Sequence, residues 1–447
     1  MTGMRLRRPA ALGFALLLLA ATWLLRWPGL DKPIWNVDEA VTFTMAEQIL
    51  GGEVPYRDAV DQRSPLAPYV QAAVFAVAGH WNLKAQHAVL TLMIGLTAVL
   101  LWRLASRLGD GATGVAGALW FTLLCFVLPT VRDTMPAHTA WYLIFFSTAG
   151  YWLLARSWDQ QRCATALASG AAFGLAVLAK QPAVLDFGAA LVLLALALLL
   201  LPDRRATVFR QLAAMTAGFA APLLCTAAYF AAKGAWHDLV YYTWTYNNTL
   251  YVPEVPMSER WRTIRVPFEL AQKYHPLIVP LGCTAAVLLV GRNIGSLLRR
   301  PVKFDVLGWL ILGWSAAGLV STTLSGRGFT HYSIQLIPGL SLACGWISAR
   351  IWERVRDLTA NRPVLRSLAM VAGAAAAAWV LTPLPARVKA LDLPEPATDV
   401  MAQLVQRHSG VEDRIFAWGY TPEVYANSRR LPATRFLYCT FVTGLIP

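Results

Sequence analysis

Long apolar runs alternate with short polar segments along this chain of 447 residues. A helix needs about 20 predominantly apolar residues to cross the hydrocarbon core of a bilayer, and eleven runs come close to that length. The pattern therefore predicts an all-α polytopic membrane protein with about 11 transmembrane helices. They are expected near residues 10–28, 86–104, 113–130, 137–155, 163–180, 183–201, 211–231, 276–291, 306–324, 331–349 and 367–383.

A twelfth apolar stretch, residues 65–79, is too short to span a bilayer. If it crossed, Arg103 and Arg107 would move to the outer side, against the tendency of basic residues to stay in the cytoplasm. We expect this stretch to form an interfacial helix on the outer surface.

The basic residues set the expected orientation. With the N-terminus in the cytoplasm, the segments on the inner side are rich in Arg and Lys and poor in acidic residues. The longer segments 29–85 and 232–275 then lie outside. The tail, 384–447, is too polar to span and carries turn and strand signals. The sequence thus predicts a transmembrane domain over 1–383 and a small α/β extracytoplasmic domain over 384–447, in a multi-pass protein of the plasma membrane.

Composition supports the membrane class and argues against a nucleic-acid-binding protein and against a disulfide-rich or zinc-binding one. Hydrophobic residues make up 57% of the chain and charged residues only 14%. The formal net charge is +14, but the basic residues form small groups between apolar runs and not the stripe of a nucleic-acid-binding protein. The six cysteines show no paired spacing, so neither a disulfide framework nor a zinc site is expected.

The first outer segment concentrates acidic residues, with six of them among the 30 residues that begin at Asn36. Asn36 predicts a helix N-cap, which places Asp38 and Glu39 in the first turn, and Gly51 and Gly52 predict the end. The apolar positions are expected to face the membrane, as in an amphipathic interfacial helix. Neighbouring residues on a helix point about 100° apart, so the two acids cannot act on one atom. Acidic residues also stabilise any helix N-terminus, so the pair alone identifies no function.

Four sequence blocks, each present once, stand out along the chain. The first is the DE pair at Asp38 with PYRDAVDQRSPLAPYVQAAVFAVAG after it. The others are LAKQPAVL around Lys180, GFTHYSIQLIPGL around His331, and RIFAWGYTPEVYANSRRLPATRF near the C-terminus. Together they resemble the GT-C glycosyltransferase superfamily, in its bacterial branch related to protein O-mannosyltransferases and lipid A aminoarabinose transferases. The DE pair alone is a weak motif. The four blocks cover most of the chain and are more specific.

The resemblance implies many transmembrane helices, interfacial helices in the first outer loop, and an active site at the outer face. There a sugar would move, with inversion, from a polyprenyl phosphate to a hydroxyl acceptor. It also implies that Asp38 is the catalytic base, Glu39 a second acid and Asp133 the acidic residue of the next outer loop. Two positions depart from the pattern: Arg63 stands where relatives often carry a lysine, and His138 where the fourth span often opens with an Asn and a Glu.

The reaction needs one base and several cations. A carboxylate must accept the proton of the acceptor hydroxyl, and cationic groups must hold the leaving phosphate. The phosphate leaves as a stable anion, so it needs no second carboxylic acid, unlike the leaving group in glycoside hydrolysis. The outer edge of the predicted bundle offers five candidate phosphate ligands: Arg57, Arg63, Lys180, Arg327 and His331.

Further residues in or beside these blocks are expected to contact substrate, namely His138, Gln181, Tyr332, Trp418, Tyr420 and Arg435. The histidines show no metal-ligand spacing, and a site made of carboxylates alone would suit Mg²⁺ or Mn²⁺. The sequence therefore predicts no particular metal site and leaves a divalent ion open as a cofactor.

Two other classes remain open. A transporter or flippase of lipid-linked sugars would also place charges in an apolar bundle, but it should show repeated halves, and the sequence contains no such repeat. An O-antigen ligase-type enzyme would rely on arginines and a histidine in a late outer loop. The late loop of this chain is residues 232–275, and it contains His237, Arg260, Arg262 and Arg265. The expected partners of the transferase are a polyprenyl-phosphate sugar donor, a lipid, glycan or protein acceptor, and membrane lipid, without nucleic acid.

Overall fold

The computed structural model describes residues 8–32, 34, 36–253, 255–274, 276–299, 303–390 and 397–443. The chain is 79% helical, and no strand forms within these ranges. The predicted all-α class is confirmed.

Twenty-one α-helices follow one another in the described ranges. The first ten are α1 (Arg8–Arg26), α2 (Val37–Leu50), α3 (Leu66–Ala78), α4 (Leu83–Leu108), α5 (Gly111–Val127), α6 (Val131–Thr134), α7 (Thr139–Gln160), α8 (Cys163–Ala179), α9 (Val184–Leu200) and α10 (Arg205–Ala232). The others are α11 (Trp236–Val240), α12 (Met257–Thr263), α13 (Arg265–Tyr274), α14 (Ile278–Leu297), α15 (Val306–Thr323), α16 (Ile337–Leu358), α17 (Pro363–Leu381), α18 (Pro383–Lys389), α19 (Ala397–His408), α20 (Glu423–Ser428) and α21 (Thr440–Thr443).

Each of the eleven predicted spans coincides with one of these helices: α1, α4, α5, α7, α8, α9, α10, α14, α15, α16 and α17. In the described part of the chain, eight helical segments are long and apolar enough to cross a membrane. Helices α5 and α8 are apolar and have 17 residues each, and α7 has 22 residues. Helix α3, with 13 residues, matches in length the short helix expected at the interface. The chain is therefore a multi-pass membrane protein.

Glycines bring several spans into close contact. Helix α8 lies so near α10 that a Cβ at Gly170 would be 1.9 Å from the carbonyl oxygen of Met215. Helices α5 and α16 meet in the same way, because a Cβ at Gly345 would be 2.4 Å from the Cα of Gly117. Small residues allow this approach, and van der Waals packing then holds helices together where lipid offers no hydrophobic driving force.

Four connections meet at one end of the bundle, those between α1 and α4, α5 and α7, α8 and α9, and α15 and α16. Thr330 and Asp133, from two of these connections, are joined by a hydrogen bond. The tail covers the same end. The backbone N–H of Val60 donates to the carbonyl of Arg435 at 2.8 Å, and Val41 of α2 packs against apolar residues of the tail.

Helix α2 begins and ends where the sequence predicts. The Oδ1 of Asn36 accepts a hydrogen bond from the backbone N–H of Glu39 at 3.0 Å, and Gly51 follows the last helical residue. Its environment differs from the prediction. The helix is buried from Glu39 to Gln48 and presents no apolar face to the membrane, because the bundle covers one side and the tail covers the other.

The strand signals of the tail produce an isolated bridge between Ile415 and Pro432 in place of a sheet. Ile415 exchanges backbone hydrogen bonds with Leu431 and Ala433 at 3.0 and 2.8 Å. Pro432 has no N–H to offer a further strand on its other side. Within residues 397–443 the tail is thus helical, built on α19 and α20, where the sequence predicted an α/β arrangement.

We expect Gly170→Leu to disrupt the contact between α8 and α10, because the new side chain would collide with the backbone at Met215. Overpacking that moves backbone typically costs about 1–3 kcal/mol, so the variant should lose several degrees of Tm in detergent. Gly188→Leu is the matched control, since no atom lies within 4 Å of a Cβ at that position. Equal Tm values for the two variants would contradict the close contact.

Candidate functional site

Asp38 lies in the middle of a group of charged and imidazole side chains. Its Oδ1 forms an ion pair with the guanidinium of Arg63. The Nδ1 of His138 and the Nε2 of His331 lie 3.7 and 3.9 Å from its Oδ2. The side chain of Asp38 is 25% exposed, so a substrate can still reach this carboxylate.

Asp133 is the second carboxylate of the site. Its Oδ1 lies 3.3 Å from the Nε2 of His138 and 3.7 Å from the Nδ1 of His331. Its Oδ2 accepts hydrogen bonds from the hydroxyl groups of Thr130 and Thr330. The two imidazoles stack on each other with ring centroids 4.5 Å apart. Both imidazoles therefore stand between the two carboxylates.

The surrounding groups keep both carboxylates ionised. Burial alone would raise the pKa of Asp38, but the charges of Arg63, His331 and His138 lower it to about 2. Burial likewise opposes ionisation of Asp133, and its contacts with the two imidazoles hold its pKa well below the usual range. Both groups can therefore accept a proton or bind a cation at neutral pH.

Two cations lie beside Asp38. Besides its ion pair with Asp38, Arg63 donates from NH1 to both carboxylate oxygens of Asp61 at 3.0 Å. The Nζ of Lys180 lies 4.3 Å from the ring centroid of Tyr332. Burial lowers the pKa of Lys180 to about 7, although the charge of Asp38 acts in the opposite direction. The charge of Lys180 therefore changes close to neutral pH.

Glu39 points away from this group and is fully buried. Its Oε1 lies 2.8 Å from the Nε2 of His87 on α4 and accepts the backbone N–H of Ala137 at 2.8 Å. Because Ala137 directly precedes His138, Glu39 connects α2 to the bundle and holds the segment that carries this imidazole. This geometry favours a positioning role for Glu39, which the family resemblance predicts to be a second acid of the site.

Two predicted phosphate ligands, Arg57 and Arg327, and the predicted substrate contact Gln181 have partners outside this group. Arg57 is bound to the neighbouring Asp58 on the surface, with N···O distances of 2.9 and 2.7 Å. The guanidinium carbon of Arg327 lies 4.1 Å from the ring centroid of Tyr251 in the late loop. The side-chain amide of Gln181 donates to the carbonyl of Thr243 at 3.3 Å. The structure thus brings Arg63, Lys180 and His331 of the predicted phosphate ligands around Asp38, and places Arg57 outside.

The predicted residues of the tail occupy different places. Trp418 is 67% exposed, and Arg435 donates to the hydroxyl of Tyr242 at 2.8 Å, which joins the tail to the late loop. Tyr420 lies nearer the carboxylate: burial and then the charge of Asp38 raise the pKa of its hydroxyl to about 12. The tail therefore forms part of the wall of the site.

Sequence reasoning misses two groups that shape the site. Asp61 shares the guanidinium of Arg63 with Asp38, and its only sequence signal is its position two residues before Arg63. The Nδ2 of Asn36 lies 2.9 Å from the Nε2 of His138. The cap residue of α2 therefore also orients an imidazole, which capping preferences alone do not reveal.

The site also contains atoms suited to a metal ion. Asp38, His138 and His331 each offer one ligand atom, and these atoms lie within 4.8 Å of one another. Two imidazoles and a carboxylate suit a transition-metal ion such as Zn²⁺ better than Mg²⁺. The donor set fits a divalent ion, although the sequence shows no ligand spacing that would indicate it.

A protein-family model described as dolichyl-phosphate-mannose-protein mannosyltransferase matches residues 62–249. This range contains Arg63, Asp133, His138 and Lys180 of the site. A search of curated protein sequences finds no match.

Solved structures of the oligosaccharyltransferase of Archaeoglobus fulgidus share the fold. The structure tethered to an acceptor peptide with the NVT sequon gives a TM-score of 0.62 at 10% identity, over 95% of this chain and 64% of that one. The structure of this archaeal enzyme, AglB, with an inhibitory peptide and a dolichol-phosphate gives a TM-score of 0.56 at 10% identity, over 94% of this chain and 64% of that one. The chain therefore spans a little under two thirds of the length of these structures.

The family match over residues 62–249 and the shared fold confirm the predicted resemblance to the GT-C membrane glycosyltransferases. At 10% identity, the solved structures establish the fold alone.

We expect Glu39→Ala to destabilise the protein, because it leaves His87 and the N–H of Ala137 without their acceptor in a buried place. Loss of a partner of this kind costs about 3 kcal/mol, which Tm in detergent will show as a fall of several degrees. Glu39→Gln retains an acceptor oxygen for the amide and should recover part of the loss. An alanine variant as stable as wild type would contradict the positioning role.

Proposed function

We propose that this chain is an inverting glycosyltransferase that moves a sugar from a polyprenyl-phosphate donor to a hydroxyl of a lipid, glycan or protein acceptor. The observation that carries the proposal is the ionised carboxylate of Asp38, surrounded by Arg63, His331 and Lys180 at one end of a membrane bundle. The family match supports a sugar-transfer reaction. The dolichol-phosphate in a structure of similar fold supports a prenyl-phosphate donor.

The proposal includes an orientation. The Asp38 end faces the outside of the plasma membrane and the N-terminus lies in the cytoplasm. The distribution of Arg and Lys along the sequence supports this orientation. Residues 1–383 then form the transmembrane catalytic part, and 384–447 form an extracytoplasmic domain over the site, in keeping with the packing of the tail against α2.

Asp38 is the proposed base. In the reaction, the acceptor oxygen attacks the anomeric carbon, its proton passes to the carboxylate of Asp38, and the bond from the anomeric carbon to the phosphate oxygen breaks. The prenyl phosphate keeps the electron pair and leaves as an anion, so no proton donor is required. The configuration inverts because attack and departure occur on opposite faces. Asp133 acts as a positioning residue through the two imidazoles.

Arg63 and Lys180 are the proposed phosphate ligands. In the free protein Arg63 neutralises Asp38 and keeps its pKa near 2, which makes the carboxylate a weak base. A donor phosphate that takes over part of the guanidinium would remove some of this positive charge from Asp38. Donor binding would therefore raise the basicity of Asp38 at the moment it is needed.

The ligase alternative has weaker support in the geometry. Arg260 of the late loop donates to the carbonyls of Val252 and Val255, within its own loop. His237 stacks with Tyr241, with ring centroids 6.5 Å apart. These side chains do not converge on Asp38 in the described part of the chain.

Asp38→Asn should reduce turnover by about 10²- to 10⁴-fold, the usual contribution of a general base, while donor binding is retained. Release of prenyl phosphate from a panel of polyprenyl-phosphate sugars, with protein in liposomes, measures turnover. Asp58→Asn is the matched control, because this half-buried carboxylate in the same loop pairs with Arg57 and the backbone N–H of Val54 and not with the site. Wild-type turnover in the Asp38 variant would exclude this residue as the base.

Donor affinity should depend on the charge of Lys180. The protonated amine binds phosphate and the neutral amine does not, so the KM for donor should rise as pH increases through about 7. Lys180→Gln should raise the KM at pH 6 by about tenfold or more, since hydrogen bonds to charged groups are strong, and should abolish this pH dependence. Arg57→Gln should match wild type at each pH. A glutamine variant that retains the wild-type pH profile would exclude Lys180 as the titrating ligand.

A further inference from the structure

A cavity of about 560 Å³ lies where the ends of α4, α7 and α14 meet the start of α15. Helix α7 begins beside His138 and has 22 residues, and Trp158 and Asp159 near its other end line this cavity. At 1.5 Å per residue, the cavity is about 30 Å from the Asp38 site. It therefore lies at the opposite end of the bundle and has no part in the sugar-transfer chemistry.

Four basic and two acidic side chains line the cavity. The Nε of Arg107 lies 2.6 Å from a carboxylate oxygen of Asp159, and the Nε of Arg292 lies 3.0 Å from one of Asp305. These two ion pairs join helices across the cavity and largely cancel in charge. They also hold two guanidinium groups in place at its wall.

Arg299 and Lys303 supply the remaining charge. Both line the cavity, and neither has an ion-pair partner among the residues that the structure describes. The lining therefore has an excess of two positive charges, in a pocket that also contains the aromatic side chains of Trp158 and Phe304. Such a combination suits a phosphate group at the level of a membrane interface.

The cavity continues onto an apolar surface of α14. Gly291 and Gly295 line it, and a Cβ at either position would meet no atom within 4 Å. Val287 and Leu298 lie four residues before and seven residues after Gly291, so they share its face of the helix. We call this surface, with Gly291 and Gly295, the glycine face. These side chains are 71% and 81% exposed. A ligand phosphate in the cavity would therefore have room for an acyl chain along this face.

We propose that this cavity binds the phosphate of an anionic phospholipid from the leaflet opposite the Asp38 site, with an acyl chain along the glycine face of α14. The guanidinium and ammonium groups bind the phosphate. A soluble phosphate would use the same cations but would leave the apolar face unused, so the continuity of cavity and face favours a lipid.

Native mass spectrometry of the full chain, delipidated and then exposed to phosphatidylglycerol or phosphatidylcholine in mixed micelles, tests the proposal. Wild type should retain phosphatidylglycerol at least about tenfold better than phosphatidylcholine, and Arg299→Gln/Lys303→Gln should lose most of this preference, since each basic residue near a membrane surface contributes measurably to anionic lipid binding. Equal retention of the two lipids by wild type would overturn the proposal.

Two further variants separate this site from general surface charge. Arg354→Gln/Arg366→Gln removes the same charge from exposed positions outside the cavity lining and should leave lipid retention unchanged. Gly291→Leu adds a side chain to the glycine face at a position where a Cβ meets no atom within 4 Å, and it should reduce retention severalfold at an unchanged Tm. An equal loss in the Arg354/Arg366 control, or full retention in Gly291→Leu, would contradict the assigned location. Displacement of the lipid by millimolar inorganic phosphate would identify the site as one for a free anion and overturn the lipid assignment.

Discussion

The negative charge of Asp38, held in a largely dehydrated place, is the constraint on which the rest of the site depends. A carboxylate removed from water needs compensating partners. Here Arg63 comes from the same loop, while His138, Lys180 and His331 come from three other connections between spans. The site therefore exists only when all four connections meet. The glycine contacts between spans and the buried side chain of Glu39 bring this about.

The adjacent acids of the DE pair have separate tasks, as helix geometry requires. Side chains about 100° apart cannot share a target, and Asp38 faces the imidazoles while Glu39 faces the bundle interior. A motif of two neighbouring acids thus combines the proposed base with a residue that joins α2 to the bundle. Asn36 also has two tasks, because its side-chain oxygen caps α2 while its side-chain nitrogen contacts His138.

Much of this organisation can be predicted from the sequence because it depends on local pattern. Apolar run length predicts the spans, and the Asn36 cap with Gly51 predicts α2. Family resemblance indicates Asp38 and Asp133, although their roles stay predictions. The remainder depends on contacts between distant segments. The stacking of His138 on His331, the burial of α2 under the tail, and the basic cavity at the opposite end join residues that no spacing rule relates. Arg57 shows the converse case, because a suitable residue type in a suitable loop pairs with the neighbouring Asp58 in the free protein.

A structure of the protein with a non-reactive polyprenyl-phosphate sugar analogue tests the central claim most directly, because it locates the phosphate. Density for the phosphate within hydrogen-bond distance of Arg63 and Lys180, with the sugar facing the carboxylate of Asp38, is the predicted result. A phosphate bound at the other end of the bundle, or at this end but remote from Asp38, would contradict the assignment of the site and of its base.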